Sequence, residues 1–320
     1  MGLNSENFWQ NLLEHVAQAA AIQENSKLSE IIKNDLKKTL QWKFPLNMPF
    51  EVRLFGSRIM GVGSFESDLD ILVVLGNSCD VYNEKLTPKV MSNLDRITNA
   101  ILENGSDWDL KKVNDRYFPL VTVLHKGTNI KCDINFLNSM SCDQNQLVNY
   151  IFKLQPMARY MVIFLRAWSQ EHGIKKYFRS HIFILLVIFF LQVQGHLPAV
   201  KELQAGLLPN IPPWTSNFNE FPLSTFGMKE IEVNENQTRQ ILFEFFKYYS
   251  TFAFDEFVVC PYLGKCIFRR KIKETIRVWY RQDPLRTAVF IQDLILLVDN
   301  KGFRINAQYL REFQHQCSLE

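Results

Sequence analysis

The chain has 320 residues, of which 47% are hydrophobic and 22% are charged. This composition is that of a globular protein and excludes an intrinsically disordered chain. The formal net charge of +3 is too small for a protein that coats nucleic acid with its whole surface, so any contact with RNA or DNA must come from a local patch.

Cysteine spacing and hydropathy narrow the class of protein further. The six cysteines form no C-x-x-C pair and have no histidine at zinc-finger spacing, so we expect reduced thiols. The longest apolar run, residues 182–191, is about half of what spans a bilayer and predicts a buried helix instead. The N-terminus shows no basic-then-apolar signal region. We therefore expect a cytoplasmic protein without a membrane segment.

The first half of the chain is predicted to begin with helices and to continue as a mixed sheet. Apolar spacing and turn residues carry these predictions. In chain order they give helix over residues 5–42, strands over 51–55 and 69–75, a helix over 88–102, and strands over 120–124 and 130–136.

The second half is predicted to be helical, with long apolar-periodic segments over residues 157–170, 180–194 and 238–252. The fold class is therefore α+β. A small mixed-sheet domain, residues 43–140, is inserted in a mainly helical domain formed by residues 1–42 and 141–320.

One sequence motif indicates a site for a divalent cation and a triphosphate. Gly56 and Ser57 follow a predicted strand, and Asp68-Leu69-Asp70 opens the next one. Strand alternation places Asp68 and Asp70 on one face, where two carboxylates repel each other unless a cation lies between them. Mg²⁺ prefers such oxygen ligands, and Gly56 permits a tight turn whose N–H groups and Ser57 hydroxyl can approach a triphosphate.

A third carboxylate is needed to activate the hydroxyl that attacks in two-metal phosphoryl transfer. Asp133 lies in a later apolar strand, where a charge would otherwise be costly. We therefore predict Asp68, Asp70 and Asp133 as catalytic residues that bind Mg²⁺ or Mn²⁺.

The segment FGSRIMGVGSFESDLDIL, residues 55–72, resembles the signature of the DNA polymerase β-like nucleotidyltransferases. Within that group the chain resembles the noncanonical poly(A) polymerases and terminal uridylyltransferases over nearly its whole length. The resemblance implies a two-domain nucleotidyltransferase with its active site in the cleft between a catalytic domain and a helical, PAP-associated central domain. It also implies an RNA 3′ end as substrate, and a monomer.

The resemblance implies several nucleotide contacts. Arg166 matches a basic residue that contacts the triphosphate, and Ser180 matches a phosphate-binding serine. His181 stands where relatives carry tyrosine and can still stack on a base, or it can be a packed core histidine. Asn145 resembles an asparagine that touches the ribose and base, or is a plain helix residue.

A further triphosphate cation expected near Gln170 is missing. The sequence leaves three substitutes open, each of which can also be a solvated helix end: Lys175, Lys176 and Arg179.

Residues 290–300 resemble the nucleotide-recognition loop of the family, and Asp293 matches its aspartate. Asp299 stands where uridylyltransferases often carry histidine. A carboxylate there can accept from uracil N3–H, whereas with adenine it would accept from the amino group but face the N1 lone pair. This mildly favours UTP.

Arg116 lies where relatives place a residue near the primer end. Because arginine can bond to a guanine edge, we predict that Arg116 contacts the RNA 3′ end and biases the choice of 3′ nucleotide. A plain surface arginine is the alternative.

The sequence thus predicts an RNA 3′-terminal uridylyltransferase that uses UTP. The alternatives are a poly(A) polymerase that adds AMP and, less favoured because all three carboxylates are present, a non-catalytic RNA-binding scaffold.

Overall fold

The structure, a computed structural model, describes residues 2–44, 48–76, 87–115, 119–137, 140–276 and 283–320. The chain forms two compact units. Residues 17–145 form one, called here the sheet unit, and residues 1–16 with 146–320 form the other, the helical unit.

The sheet unit is built on five strands in the order β1-β2-β5-β4-β3. Strands β2 and β5 are parallel, and the other neighbours are antiparallel. The strands are β1 (Phe50–Phe55), β2 (Leu69–Leu75), β3 (Trp108–Asn114), β4 (Leu120–His125) and β5 (Ile130–Asn135).

Among the described residues, two helices lie within the sheet unit, α2 (Ser26–Leu40) and α3 (Pro88–Glu103), and two others, α1 (Phe8–Glu24) and α4 (Ser141–Leu154), continue across its boundaries into the helical unit. Helix α3 begins as predicted: Thr87 accepts the Val90 N–H at 3.2 Å, and Pro88 occupies the first turn.

The core of the sheet unit lies between one sheet face and helices α2 and α3. Alternate β2 residues, Ile71 and Val73, pack with Leu36 of α2 and Ile97 of α3, all fully buried. Because strand residues alternate, the other face of β2 carries Asp70 together with Leu72 and Val74. Helix α2 therefore packs on the sheet, and the domain boundary at residue 43 stays a prediction.

The helical unit has an aromatic core formed mainly by α5, α6, α8 and α10. Phe164 and Trp168 of α5 contact Phe246 of α8. The ring centroids of Phe183 in α6 and Phe313 in α10 are 6.4 Å apart. The elements are α5 (Pro156–Glu171), α6 (Ser180–Val193), α7 (Val200–Leu203), α8 (Glu235–Ser250), β6 (Phe257–Val258), β7 (Ile267–Phe268), α9 (Ile272–Thr275) and α10 (Ala307–Cys317).

The α+β class is confirmed by the five-stranded mixed sheet and the ten helices found among the described residues. Helix α6 is buried from residue 182 to residue 192, as its apolar sequence predicts. In the part of the chain that the structure describes, no helix has the length and hydropathy needed to cross a membrane.

Candidate active site

Asp70 and Asp133 lie side by side at the centre of the sheet. Asp70 of β2 is the direct Cα partner of Asp133 on the parallel strand β5, so both side chains leave the same face. Asp68 precedes Asp70 by two residues and is half-buried like the other two. This set of hard oxygen donors fits Mg²⁺ or Mn²⁺.

Thr122 fixes the orientation of Asp133. It is the Cα partner of Asp133 on β4, and its buried hydroxyl donates to Asp133 Oδ1 at 2.7 Å. A charge-assisted bond of this kind restrains the carboxylate beside Asp70.

The turn after β1 lies against Asp70. Gly56 has a φ of +87°, and a Cβ atom at this position would lie 1.8 Å from Asp70 Oδ2. Only glycine therefore allows both the turn and the position of the carboxylate. Ser57 follows within the turn and is half-buried, and its carbonyl accepts from the Val62 N–H at 3.1 Å.

Asn145 braces the same turn from helix α4. When its amide is oriented to satisfy its neighbours, its oxygen accepts from the Gly56 N–H at 2.7 Å and its nitrogen donates to the Ser141 carbonyl at 3.2 Å. Asn145 is buried, so it acts on the Gly56 turn in this structure. Its contact with a ribose and base stays a prediction.

Arg58 holds the loop between the two halves of the motif. Its buried guanidinium donates from Nε to the Ser67 carbonyl at 2.7 Å and from Nη2 to the Phe65 carbonyl at 3.1 Å. Burial lowers the pKa of Arg58, while the charge of Asp68 opposes this shift. The buried Arg58 side chain therefore restrains the loop that leads into Asp68.

Lys131 is the cation that approaches the carboxylates. Its Nζ lies 2.9 Å from Asp68 Oδ2, and this hydrogen bond raises the pKa of Lys131. Among the described residues, no three His, Cys, Asp or Glu side chains are grouped closely enough to hold a metal ion, and that includes the three aspartates. In this arrangement Asp68 faces Lys131.

In the helical unit, two of the predicted nucleotide residues, Ser180 and His181, begin helix α6. Ser180 is its first residue, at the helix end that carries partial positive charge. His181 is exposed to solvent, yet the surrounding protein atoms and the cations Lys301 and Arg179 lower the pKa of its imidazole to about 4. His181 is therefore neutral at physiological pH.

The basic residues predicted to contact the triphosphate lie on α5 and in the segment between α5 and α6. Arg166 is half-buried on α5. Lys175 donates to Gln170 Oε1 at 2.9 Å, and Lys176 lies 5.4 Å from the centre of the Tyr177 ring. Arg179, just before α6, is exposed.

The predicted recognition loop is compact and nearly fully buried over residues 289–298. Asp293 Oδ1 accepts from the N–H groups of Ile295 and Leu296, at 2.9 and 2.8 Å. Its Oδ2 lies 2.9 Å from Lys301 Nζ, which also lies 3.5 Å from Asp299 Oδ2. Burial lowers the pKa of Lys301, but the two carboxylates more than offset this, so the net shift is upward.

This geometry assigns Asp293 a part in holding the loop together. The less buried Asp299 lies beside the Lys301 ammonium. The nucleotide contacts of Asp293 and Asp299 remain predictions.

Comparison with known proteins shows which family the chain resembles. Residues 8–153 match the family model of the central palm domain of mitochondrial-like poly(A) RNA polymerase. The chain is 23% identical over 264 residues to the mitochondrial poly(A) RNA polymerase of Mus musculus, covering 75% of this chain and 44% of that protein. The chain is therefore similar to the noncanonical poly(A) polymerases and terminal uridylyltransferases.

A second curated poly(A) polymerase is similar to much of the chain. The gld-2 homolog B poly(A) RNA polymerase of Drosophila melanogaster is 22% identical, covering 67% of this chain and 17% of that protein. The chain thus spans less than half the length of these two curated relatives.

Solved structures show the same fold. The crystal structure of mtPAP in complex with UTP has a TM-score of 0.75 at 19% identity, covering 95% of this chain and 66% of that one. A cytoplasmic RNA terminal U-transferase has a TM-score of 0.67 at 17% identity, covering 96% and 92%.

Sequence reasoning missed four side chains that shape these sites: Arg58, Thr122, Lys131 and Lys301. Arg58 gave one signal, since it is the sole charge between Gly56 and Glu66 in an apolar, glycine-rich loop. The partners of the others depend on strand register and loop geometry, which the sequence does not display. Arg116, predicted to contact the RNA 3′ end, lies outside the described residues.

Proposed function

We propose that this chain is an RNA nucleotidyltransferase that adds nucleotides to RNA 3′ ends. The observation that carries the proposal is the pairing of Asp70 with Asp133 on adjacent parallel strands, with Gly56 in contact with Asp70. Three carboxylates and a glycine turn on one sheet face provide cation ligands beside a surface that a triphosphate can approach.

Asp68, Asp70 and Asp133 would hold the divalent metals, Mg²⁺ or Mn²⁺. When bound, such metals lower the pKa of a 3′-hydroxyl and neutralise charge on the leaving pyrophosphate. Asp133, held by Thr122, orients the attacking 3′-hydroxyl toward the α-phosphate. Ser57, in the Gly56 turn, binds phosphate oxygens through its N–H and O–H groups.

The remaining predicted contacts complete the substrate complex. Arg166 and Ser180 bind the triphosphate, and the neutral ring of His181 stacks on the base. Arg116 contacts the RNA 3′ end. Because the bound state depends on backbone phosphates, we expect RNA binding that weakens steeply with salt.

We propose uridylate, from UTP, as the nucleotide added. Asp299 is a carboxylate that can accept from uracil N3–H, and the U-transferase that shares the fold is matched over 92% of its length. Adenylate addition is the second candidate, for two reasons. The two curated relatives reported above, from Mus musculus and Drosophila melanogaster, are both named poly(A) RNA polymerases. In addition, the Lys301 ammonium beside Asp299 offers a donor for adenine N1.

A monomer in the cytoplasm is part of the proposal. The described cysteines Cys132, Cys142, Cys260, Cys266 and Cys317 are free thiols, which suits a reducing compartment. Cell fractionation would test the location, because the curated relatives include a mitochondrial enzyme.

The test is to incubate the chain with a labelled RNA oligonucleotide, Mg²⁺ or Mn²⁺, and each of the four NTPs in turn. We expect extension with UTP above the other three. Extension with ATP alone would transfer the proposal to poly(A) addition. No extension with any NTP, together with RNA binding, would favour a scaffold.

A further inference from the structure

Lys131 lies on the same face of the sheet as the three carboxylates. It precedes Asp133 by two residues on β5, and strand alternation therefore directs both side chains to one side. The register that pairs Leu69 with Cys132 brings Lys131 level with Asp68. Their side chains meet at 2.9 Å, with 50% of the lysine and 31% of the aspartate exposed.

This ion pair opposes the arrangement that metal binding needs. Three carboxylates on one face repel each other, and the Lys131 ammonium compensates part of that charge. The same contact holds Asp68 Oδ2 toward Lys131, and the three aspartates are not grouped as a metal site in this structure. We expect a divalent ion shared by all three carboxylates to draw Asp68 Oδ2 away from Lys131.

We propose that Lys131 is a built-in counter-cation that competes with the divalent metal for Asp68. The inference rests on the proposed function, because it takes Asp68, Asp70 and Asp133 as the metal ligands. Lys131 stabilises the metal-free site and raises the metal concentration at which the site fills. It is a positioning residue, since it acts on Asp68 and not on the reacting atoms.

Two effects set the expected size of the competition. A metal ion must displace a hydrogen-bonded ion pair, and it must then lie close to a remaining positive charge. At a partly exposed site both terms are screened by water. We expect a neutral side chain at position 131 to tighten Mn²⁺ binding by about tenfold.

The experiment measures Mn²⁺ binding to the full chain without RNA or nucleotide, from the loss of the free-ion signal in electron paramagnetic resonance. Lys131→Met is compared with the wild type, with Lys131→Arg, which keeps the charge, and with Lys111→Met. Lys111 is the matched control because it pairs with Asp109 at 2.5 Å on edge strand β3, with 45% and 44% exposure. Lys131→Gln serves as a second neutral variant if Lys131→Met does not fold.

Tighter Mn²⁺ binding by the neutral variants, with wild-type affinity in Lys131→Arg and Lys111→Met, would support the inference. Melting in EDTA adds a second readout: Lys131→Met should melt below the wild type, and saturating Mn²⁺ should remove the difference. Unchanged or weaker Mn²⁺ binding in both neutral variants would overturn the inference.

Asp70→Asn separates this inference from the proposed function. Loss of Mn²⁺ binding in Asp70→Asn with no gain in Lys131→Met would leave the metal site intact and overturn only the role of Lys131. A wild-type chain that binds no Mn²⁺, or binds it independently of Asp70, would overturn both.

Discussion

Gly56 and Asp70 occupy adjoining space so closely that a Cβ atom at residue 56 would lie 1.8 Å from Asp70 Oδ2 and 2.6 Å from Asp70 Cγ. Residue 56 also has a φ of +87°, in the left-handed region. The Gly56 turn and the Asp70 carboxylate, which we propose to be catalytic, are therefore packed together, and a change in one must displace the other.

Gly56→Ala should remove activity by displacing Asp70. A shift of about 1 Å at a catalytic group can cost on the order of 100-fold in rate, and we expect at least that loss in RNA extension. The control is Gly76→Ala, where φ is +68° but nothing lies within 4 Å of the added Cβ. Gly76→Ala should cost stability of about 1 kcal/mol and keep its activity. Equal activity in the two variants would contradict the packing argument.

Thr122→Val should slow extension without unfolding the chain. The valine keeps the volume but removes the hydroxyl that donates to Asp133 Oδ1. We expect a rate about tenfold lower and a stability loss of no more than about 2 kcal/mol. Thr122→Ser retains the hydroxyl and should restore most of the rate. Wild-type kinetics in Thr122→Val would show that this bond does not position the carboxylate.

Arg58→Met should destabilise the loop that leads into Asp68. Two carbonyl groups, of Phe65 and Ser67, lose their buried donor. We expect a loss of about 2–3 kcal/mol in urea unfolding, accompanied by slower extension. The matched control is Arg53→Met, which breaks an exposed pair with Glu51 and should cost less than about 1 kcal/mol. Similar losses in both variants would argue against a bracing role for Arg58.

The stability of the chain should fall on acidification partly because of His181. Its pKa is about 4 in the folded chain, against an ordinary value of 6.5. Between these values the unfolded chain binds a proton that the folded chain does not, so stability is lost as the pH falls from about 6.5 toward 4. His181→Gln should reduce that loss when unfolding is measured across this range. An unchanged pH dependence, or a His181 ring that titrates near 6.5 by NMR, would contradict the expectation.

The sequence was most informative where one residue type has few physical alternatives. Asp68 and Asp70, two apart at the start of a strand, indicated a shared face, and Asp133 inside an apolar strand indicated a third carboxylate for the same site. The structure pairs Asp70 directly with Asp133. The start of helix α3 was also predicted correctly, because Thr87 and Pro88 mark it.

The sequence was silent where neighbours come from distant segments. Strand β3, Trp108–Asn114, was not predicted because Lys111 and Lys112 are exposed on this edge strand and break the alternation of apolar residues. The partners of Lys131 and Lys301 depend on register and loop geometry. The sequence predicted helix α2 as part of the N-terminal helical region. In the structure, Leu36 of α2 packs in the core of the sheet unit.

The most direct measurement is extension of an RNA oligonucleotide by the wild-type chain and by Asp133→Ala, with metal and UTP present and folding verified by circular dichroism. We predict that the wild type extends the RNA and that Asp133→Ala loses at least about 1,000-fold in rate, because the hydroxyl-activating carboxylate is gone. A folded Asp133→Ala chain that extends RNA at the wild-type rate would contradict the assignment of this site.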